Sequence, residues 1–145
     1  MTMNAKQIFF PLIAMVALTF IVAAVMLRRR ISAMKAGRIH PQKIALSAQM
    51  AAAIADTRAS DNFRNLFETP VLFYVALLTV YSANLASLAY LLLAWCYVGA
   101  RCLHSYLHCG SNRVMKRFYA FAASCTVLLA LWLLIAFDLI FSGRA

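Results

Sequence analysis

Two short stripes carry most of the polar chemistry in this otherwise apolar chain. Asp61, Arg64, Asn65 and Glu68 fall at i, i+3, i+4 and i+7, which is one face of a helix. Arg101, His104, Ser105 and His108 repeat that spacing further on. Two basic groups flank them: Arg28, Arg29 and Arg30, and Arg113, Lys116 and Arg117. Guanidinium forks donate in pairs to carboxylates. An asparagine amide both donates and accepts. Glu68 can take an ammonium group or pair with a neighbouring arginine. Imidazoles titrate near neutral pH, so His104 and His108 can move a proton. The set suits a small zwitterionic or anionic ligand. A purely structural reading stands beside it: Arg64 and Glu68, at i and i+4, can neutralise each other, and Arg101 can snorkel to an interface. His104 and His108 have metal-ligand spacing, but no third ligand is obvious, so hydrogen-bonding histidines are expected and no metal site.

These residues sit in a frame that excludes a soluble domain. The 145 residues are 65% hydrophobic and 12% charged, with mean hydropathy +0.80. Soluble domains are about 25% charged. The expected class is all-α: an integral membrane four-helix bundle forming a single domain over residues 1–145. A crossing needs about 20 apolar residues. Four spans meet that length, at about residues 8–27, 66–83, 85–107 and 118–141, with an inner loop at 28–64. The uncharged link from Ser82 to Ser87 makes the second and third spans an antiparallel hairpin. The first span is too long for a signal peptide and no small-residue cleavage site precedes the arginines, so it reads as a mature helix.

The net charge of +10 in a soluble protein would suggest nucleic acid. Here the basic residues lie between apolar runs and report topology, so no nucleic-acid partner is expected. Residues 28–64 hold eight Lys and Arg, and residues 113–117 hold three. The other side has only Lys6 and Arg144. Positive residues stay inside, so both basic loops face inward and both termini outward. The start of the second span, the end of the third and the start of the fourth then share the inner level. Both polar stripes meet there, and the outer halves stay apolar.

Pro41 breaks the inner loop. Ile44, Leu46, Met50 and Ile54 follow at roughly helical spacing, as a helix on the bilayer surface or a partial lid over a site. Pro70 predicts a kink in the second span, freeing the Leu66 carbonyl. The cysteines at 96, 102, 109 and 125 lie in or beside apolar segments and read as reduced packing residues. Tyr106 and Tyr119 are the aromatic residues nearest the basic cluster.

The run Asp61-Asn62-Phe63-Arg64-Asn65-Leu66-Phe67-Glu68-Thr69-Pro70, with the four-span layout, resembles the MAPEG superfamily (membrane-associated proteins in eicosanoid and glutathione metabolism), and within it the bacterial branch. The resemblance covers nearly the whole chain. It implies a homotrimer in a bacterial inner membrane, with glutathione as co-substrate between neighbouring protomers near the cytosolic side. It further implies a transferase or peroxidase acting on a lipophilic small molecule. By the same resemblance Asn65, Glu68 and Arg101 would bind glutathione, with Arg64 and Arg113 beside them. Arg28, Arg29, Arg30 or Arg117 would activate the thiol, and His104 or His108 would handle the proton. The sequence departs from the eicosanoid enzymes in two places. Asp61 stands where they carry an arginine, and His104 and His108 stand where they carry tyrosines. An eicosanoid substrate is therefore not expected. The other class of function is a non-catalytic protein of this fold, binding a lipid headgroup or another small anion, or serving as a partner subunit.

Overall fold

A computed structural model describes residues 4–141, and among them every regular element is helical. The helices are α1 (Phe9–Ala36), α2 (Ser47–Ala53), α3 (Arg58–Asn65), α4 (Thr69–Ser82), α5 (Leu88–Cys109) and α6 (Val114–Phe141). Single 3-10 turns at Ala5–Ile8 and Pro41–Ile44 precede α1 and α2. Arg144 lies outside the described residues.

Each long helix buries one narrow stripe and turns its remaining apolar side chains outward. In α1 the buried residues Met15 and Val22 are seven apart, and in α6 Leu128, Leu131 and Ile135 repeat the 3.6-residue period. Phe73 of α4 stacks on Tyr97 of α5, with ring centroids 4.4 Å apart and planes 19° apart. Exposed side chains such as Phe20 at 71%, Leu133 at 61% and Ile140 at 60% would be untenable in water over so much surface. A bilayer removes that objection. Residues Ala5–Ala36, Arg58–Ser82 and Val114–Phe141 are long and apolar enough to cross one.

The helix boundaries differ from the expected spans in informative ways. α1 does not stop at the three arginines but runs another turn and more to Ala36, because Arg and Lys are good helix formers once outside the hydrocarbon. It closes with Arg38 at φ 50°, and the Ile39 amide reaches back to the Met34 carbonyl at 2.9 Å. The second segment is not one helix. It ends at Asn65, turns through Leu66–Glu68, and restarts at Thr69 with Pro70 buried in the first turn. Proline lacks an amide hydrogen and fits the opening turn of a helix. The chain therefore breaks before the proline rather than bending at it. The expected single face of Asp61, Arg64, Asn65 and Glu68 is divided by this break.

The link between α4 and α5 is a tight reversal closed by Asn84 at φ 56°, with the Leu85 amide on the Val80 carbonyl at 2.9 Å. Asparagine tolerates this left-handed position better than most residues. α5 ends at Gly110, where a Cβ would stand 2.8 Å from the Tyr106 carbonyl oxygen. Gly110→Ala is expected to destabilise the protein by about 1–3 kcal/mol, because backbone must move to admit the methyl group. Thermal unfolding of the purified protein in detergent checks this.

Candidate functional site

Four chain segments are tied together at one end of the bundle. Arg29 of α1 donates to the Cys109 carbonyl at 2.7 Å, and Arg58 of α3 donates to the Gly110 carbonyl at 2.7 Å. Helix C-termini carry unpaired carbonyls and a partial negative charge, so both guanidinium groups sit where such a terminus favours them. On α6, the Arg117 carbonyl accepts from His104 Nδ1 at 3.1 Å. A carbonyl can only accept, so Nδ1 carries the hydrogen of this contact.

The structure brings together part of the expected polar set, Arg101 with Asn65 and Glu68, and His104 and His108 beside Arg117, and leaves Arg28, Arg64 and Arg113 exposed. Arg101 is fully buried, and its guanidinium donates to the Asn65 side-chain oxygen at 2.7 Å and to the Asn65 carbonyl at 3.2 Å. The Asn65 amide donates in turn to a Glu68 oxygen at 2.8 Å. A chain of contacts thus runs from a buried cation on α5, across the break between α3 and α4, to an exposed carboxylate. The Asn65–Glu68 pair spans the turn itself, with Asn65 closing α3 and Glu68 preceding the first residue of α4. Glu68 bonds Asn65 here, and the structure gives it no ion pair with Arg64. Arg101 does not snorkel. It turns inward, with its guanidinium carbon 5.9 Å from the centre of the Phe121 ring.

Asn65, His104, His108 and Arg117 line one open cleft of about 250 Å³, walled by Val114, Phe118 and Phe121. The two histidines are buried and meet edge to face, with ring centroids 5.3 Å apart. Arg117 donates to the Asn112 side chain at 2.8 Å. The other basic residues separate by exposure. Arg28, Arg64 and Arg113 are exposed, while Arg29 and Arg30 are partly covered by the loop that follows α1. Arg30 donates to the Met50 sulfur on α2. Beneath α2 a smaller polar cavity of about 130 Å³ is lined by Arg29, Arg30, Asp56, Asp61 and Arg64 among others. The helical pattern expected from Ile44 to Ile54 is thus split into a 3-10 turn and α2, and α2 covers a cavity. Tyr106, 76% exposed, lines a groove with Arg29 and Ser105, and Tyr119 is 64% exposed.

Two residues that the stripes did not single out are central to the arrangement. Asn62 is fully buried, with its amide 3.4 Å from Cys109 Sγ and its oxygen 3.4 Å from the Ser105 hydroxyl that donates to it. It shares a buried face with Ala59 and Leu66, and that spacing was the available signal. Asp56 holds Arg58 by two side-chain bonds at 2.7 and 2.9 Å and Arg29 at 3.4 Å. Donation from Arg58 keeps the Asp56 carboxyl below its ordinary value of 3.8, and Arg29 adds to this. A depressed carboxyl stabilises the fold above its unfolded pKa and loses that contribution as pH falls through the folded one. The clasp over α2 should therefore be intact at neutral pH and open only below about pH 4. Asp56→Asn should speed amide exchange in residues 47–57 at neutral pH several-fold, since partly exposed ion pairs contribute about 1 kcal/mol or less. Exchange mass spectrometry reads this directly.

A helical fold with long apolar outer faces and a polar cluster at one end defines an integral membrane protein. The profile of the MAPEG family matches residues 8–137, and the chain belongs to that family. A search among curated proteins and among solved structures found no match to the chain.

Proposed function

We propose that this protein is a glutathione-dependent membrane transferase or peroxidase acting on lipophilic electrophiles. The observation that carries the reading is the Arg101–Asn65–Glu68 chain, which presents a carboxylate and a fixed amide at the protomer surface. Glutathione offers one ammonium, two carboxylates and a thiol. Glu68 suits the ammonium, and the exposed guanidinium groups of Arg64 and Arg113 suit the carboxylates. Family membership supports the same ligand.

In this reading α1, the broken α3–α4 pair, α5 and α6 are four crossings. α5 is 22 residues long, about 33 Å at 1.5 Å per residue, and its polar groups are turned inward away from lipid. The basic ends face the cytosol of a bacterial inner membrane and both termini face outward. Three protomers assemble, because Glu68, Arg64 and Arg28 stand on the outside of one protomer, where a neighbour would complete the site. A cation beside the thiol favours the thiolate. The thiolate attacks the carbon of a lipophilic halide, forming the C–S bond as halide leaves, or attacks a peroxide oxygen, cleaving the O–O bond to give an alcohol and a glutathione sulfenic acid that a second glutathione converts to disulfide and water. Arg28 is the exposed member of its triplet and is assigned that task.

The test uses the protein in lipid nanodiscs with glutathione and an aryl halide. Saturable glutathione binding with turnover is expected. Glu68→Gln should weaken binding roughly tenfold or more, the scale of a lost charge-assisted bond. Absence of saturable binding to the wild-type protein would remove the reading and leave a non-catalytic anion-binding member of the family.

A further inference from the structure

The break between α3 and α4 gathers hydrogen-bond donors that have nothing to donate to. Among the described residues, Arg101 Nε and NH1, the Tyr97 hydroxyl and the Thr69 hydroxyl are buried without a hydrogen-bond partner. Tyr97 and Arg101 are each fully buried, one turn apart on the inner face of α5. The Thr69 hydroxyl lies within reach of the Tyr97 hydroxyl, and if one donates to the other the pair still has one hydrogen left to donate, beside the unpartnered Nε and NH1 of Arg101. Thr69 is also the first residue of α4, a 14-residue helix whose N-terminus no side chain caps, since Glu68 is turned to Asn65. That terminus adds the positive end of a helix dipole to the same place.

The charge there is one-sided. Arg101 bonds only to Asn65, a neutral amide. The carboxylate that acts on it, Glu68, is exposed and separated from it by that amide. A buried ion is tolerated when it is paired and its remaining hydrogens are bonded, and neither condition holds for this guanidinium. Water would accept from these donors but would leave the charge uncompensated.

We propose that the break between α3 and α4 binds one small inorganic anion of halide size, held by the Arg101 guanidinium and the Tyr97 and Thr69 hydroxyls at the start of α4. The anion fixes the turn Leu66–Glu68 and so the position of Asn65 and Glu68. The site shares Arg101 with the chain on which the glutathione reading rests, but it lies inside the protomer and its test uses halide alone, so the two readings fail separately.

The experiment measures thermal unfolding of the full-length protein in detergent while chloride or bromide replaces gluconate at constant ionic strength. A saturable rise of several degrees is expected with either halide, as for any ligand that binds only the folded state. Tyr97→Phe keeps the ring on Phe73 and removes one donor, and Thr69→Val removes another. Each should raise the halide concentration for half-saturation roughly tenfold. A crystal grown in bromide should show an anomalous peak within hydrogen-bond reach of Arg101 Nε. The proposal is overturned if halide and gluconate give the same unfolding temperature, which would mean that water alone fills the site. It is equally overturned if the halide response is unchanged in both variants, which would place the anion on surface arginines.

Discussion

Arg101→Met is expected to leave a folded protein that has lost glutathione turnover by about a hundredfold or more. Replacing a buried ion with an apolar side chain of similar length is often neutral or stabilising, because the cost of desolvating the charge disappears. Methionine is unbranched and can follow much of the same path between Asn65 and Phe121. The loss falls instead on position. Asn65 keeps its orientation because its oxygen and its carbonyl both accept from one guanidinium nitrogen. Without that anchor the amide can rotate and Glu68 swings with it. Displacement of a binding group by about 1 Å is enough for a hundredfold loss of rate. Steady-state turnover in nanodiscs checks the effect, with circular dichroism to verify the helices. Near wild-type turnover would show that Asn65 and Glu68 are held by something other than Arg101.

Asn62→Asp should produce the largest loss of stability, about 3 kcal/mol or more. The substitution is nearly isosteric, so packing does not explain the effect. Asn62 is fully buried where α3 meets α5, and its partners are the Ser105 hydroxyl and the Cys109 sulfur. An aspartate there would lose the amide that faces the sulfur and place a carboxylate against a weak donor. An ionised carboxylate without a cation is strongly unfavourable in such surroundings. The variant should melt at a much lower temperature, or fail to accumulate in the membrane. Asn62→Ser, a small neutral replacement, should be milder. If the aspartate variant matched wild type, Asn62 would have to be hydrated in the native protein.

The membrane character of the chain was legible because it depends on counting. Long apolar runs between basic clusters have few physical solutions, and hydrogen-bond satisfaction in lipid allows helices. The meeting of Asn65 with Arg101, and of His104 with Arg117, followed from topology. Helices joined by a short reversal bring the start of one beside the end of the next. The detail of the site was not legible. Helical spacing placed Asp61, Arg64, Asn65 and Glu68 on one face, but that argument assumes an unbroken helix. Pro70 announced a disturbance without saying that the chain would restart at Thr69 rather than bend. Asn62 was hidden for a related reason. Nothing in a sequence says that a polar residue on an otherwise apolar face finds its partners on another helix.

The sequence by itself determined that apolar helices would carry their basic residues at one end, and that the polar stripes on separate helices would share it. Composition and spacing are properties of the chain, so they act wherever the chain is placed. Only the tertiary structure decided that Arg101 is sealed inside, that Glu68 answers to Asn65 instead of Arg64, and that Asp56 clasps two arginines over α2. Those outcomes depend on where side chains from different helices come within about 3 Å of each other, and short-range hydrogen bonds are set by packing that no single segment contains.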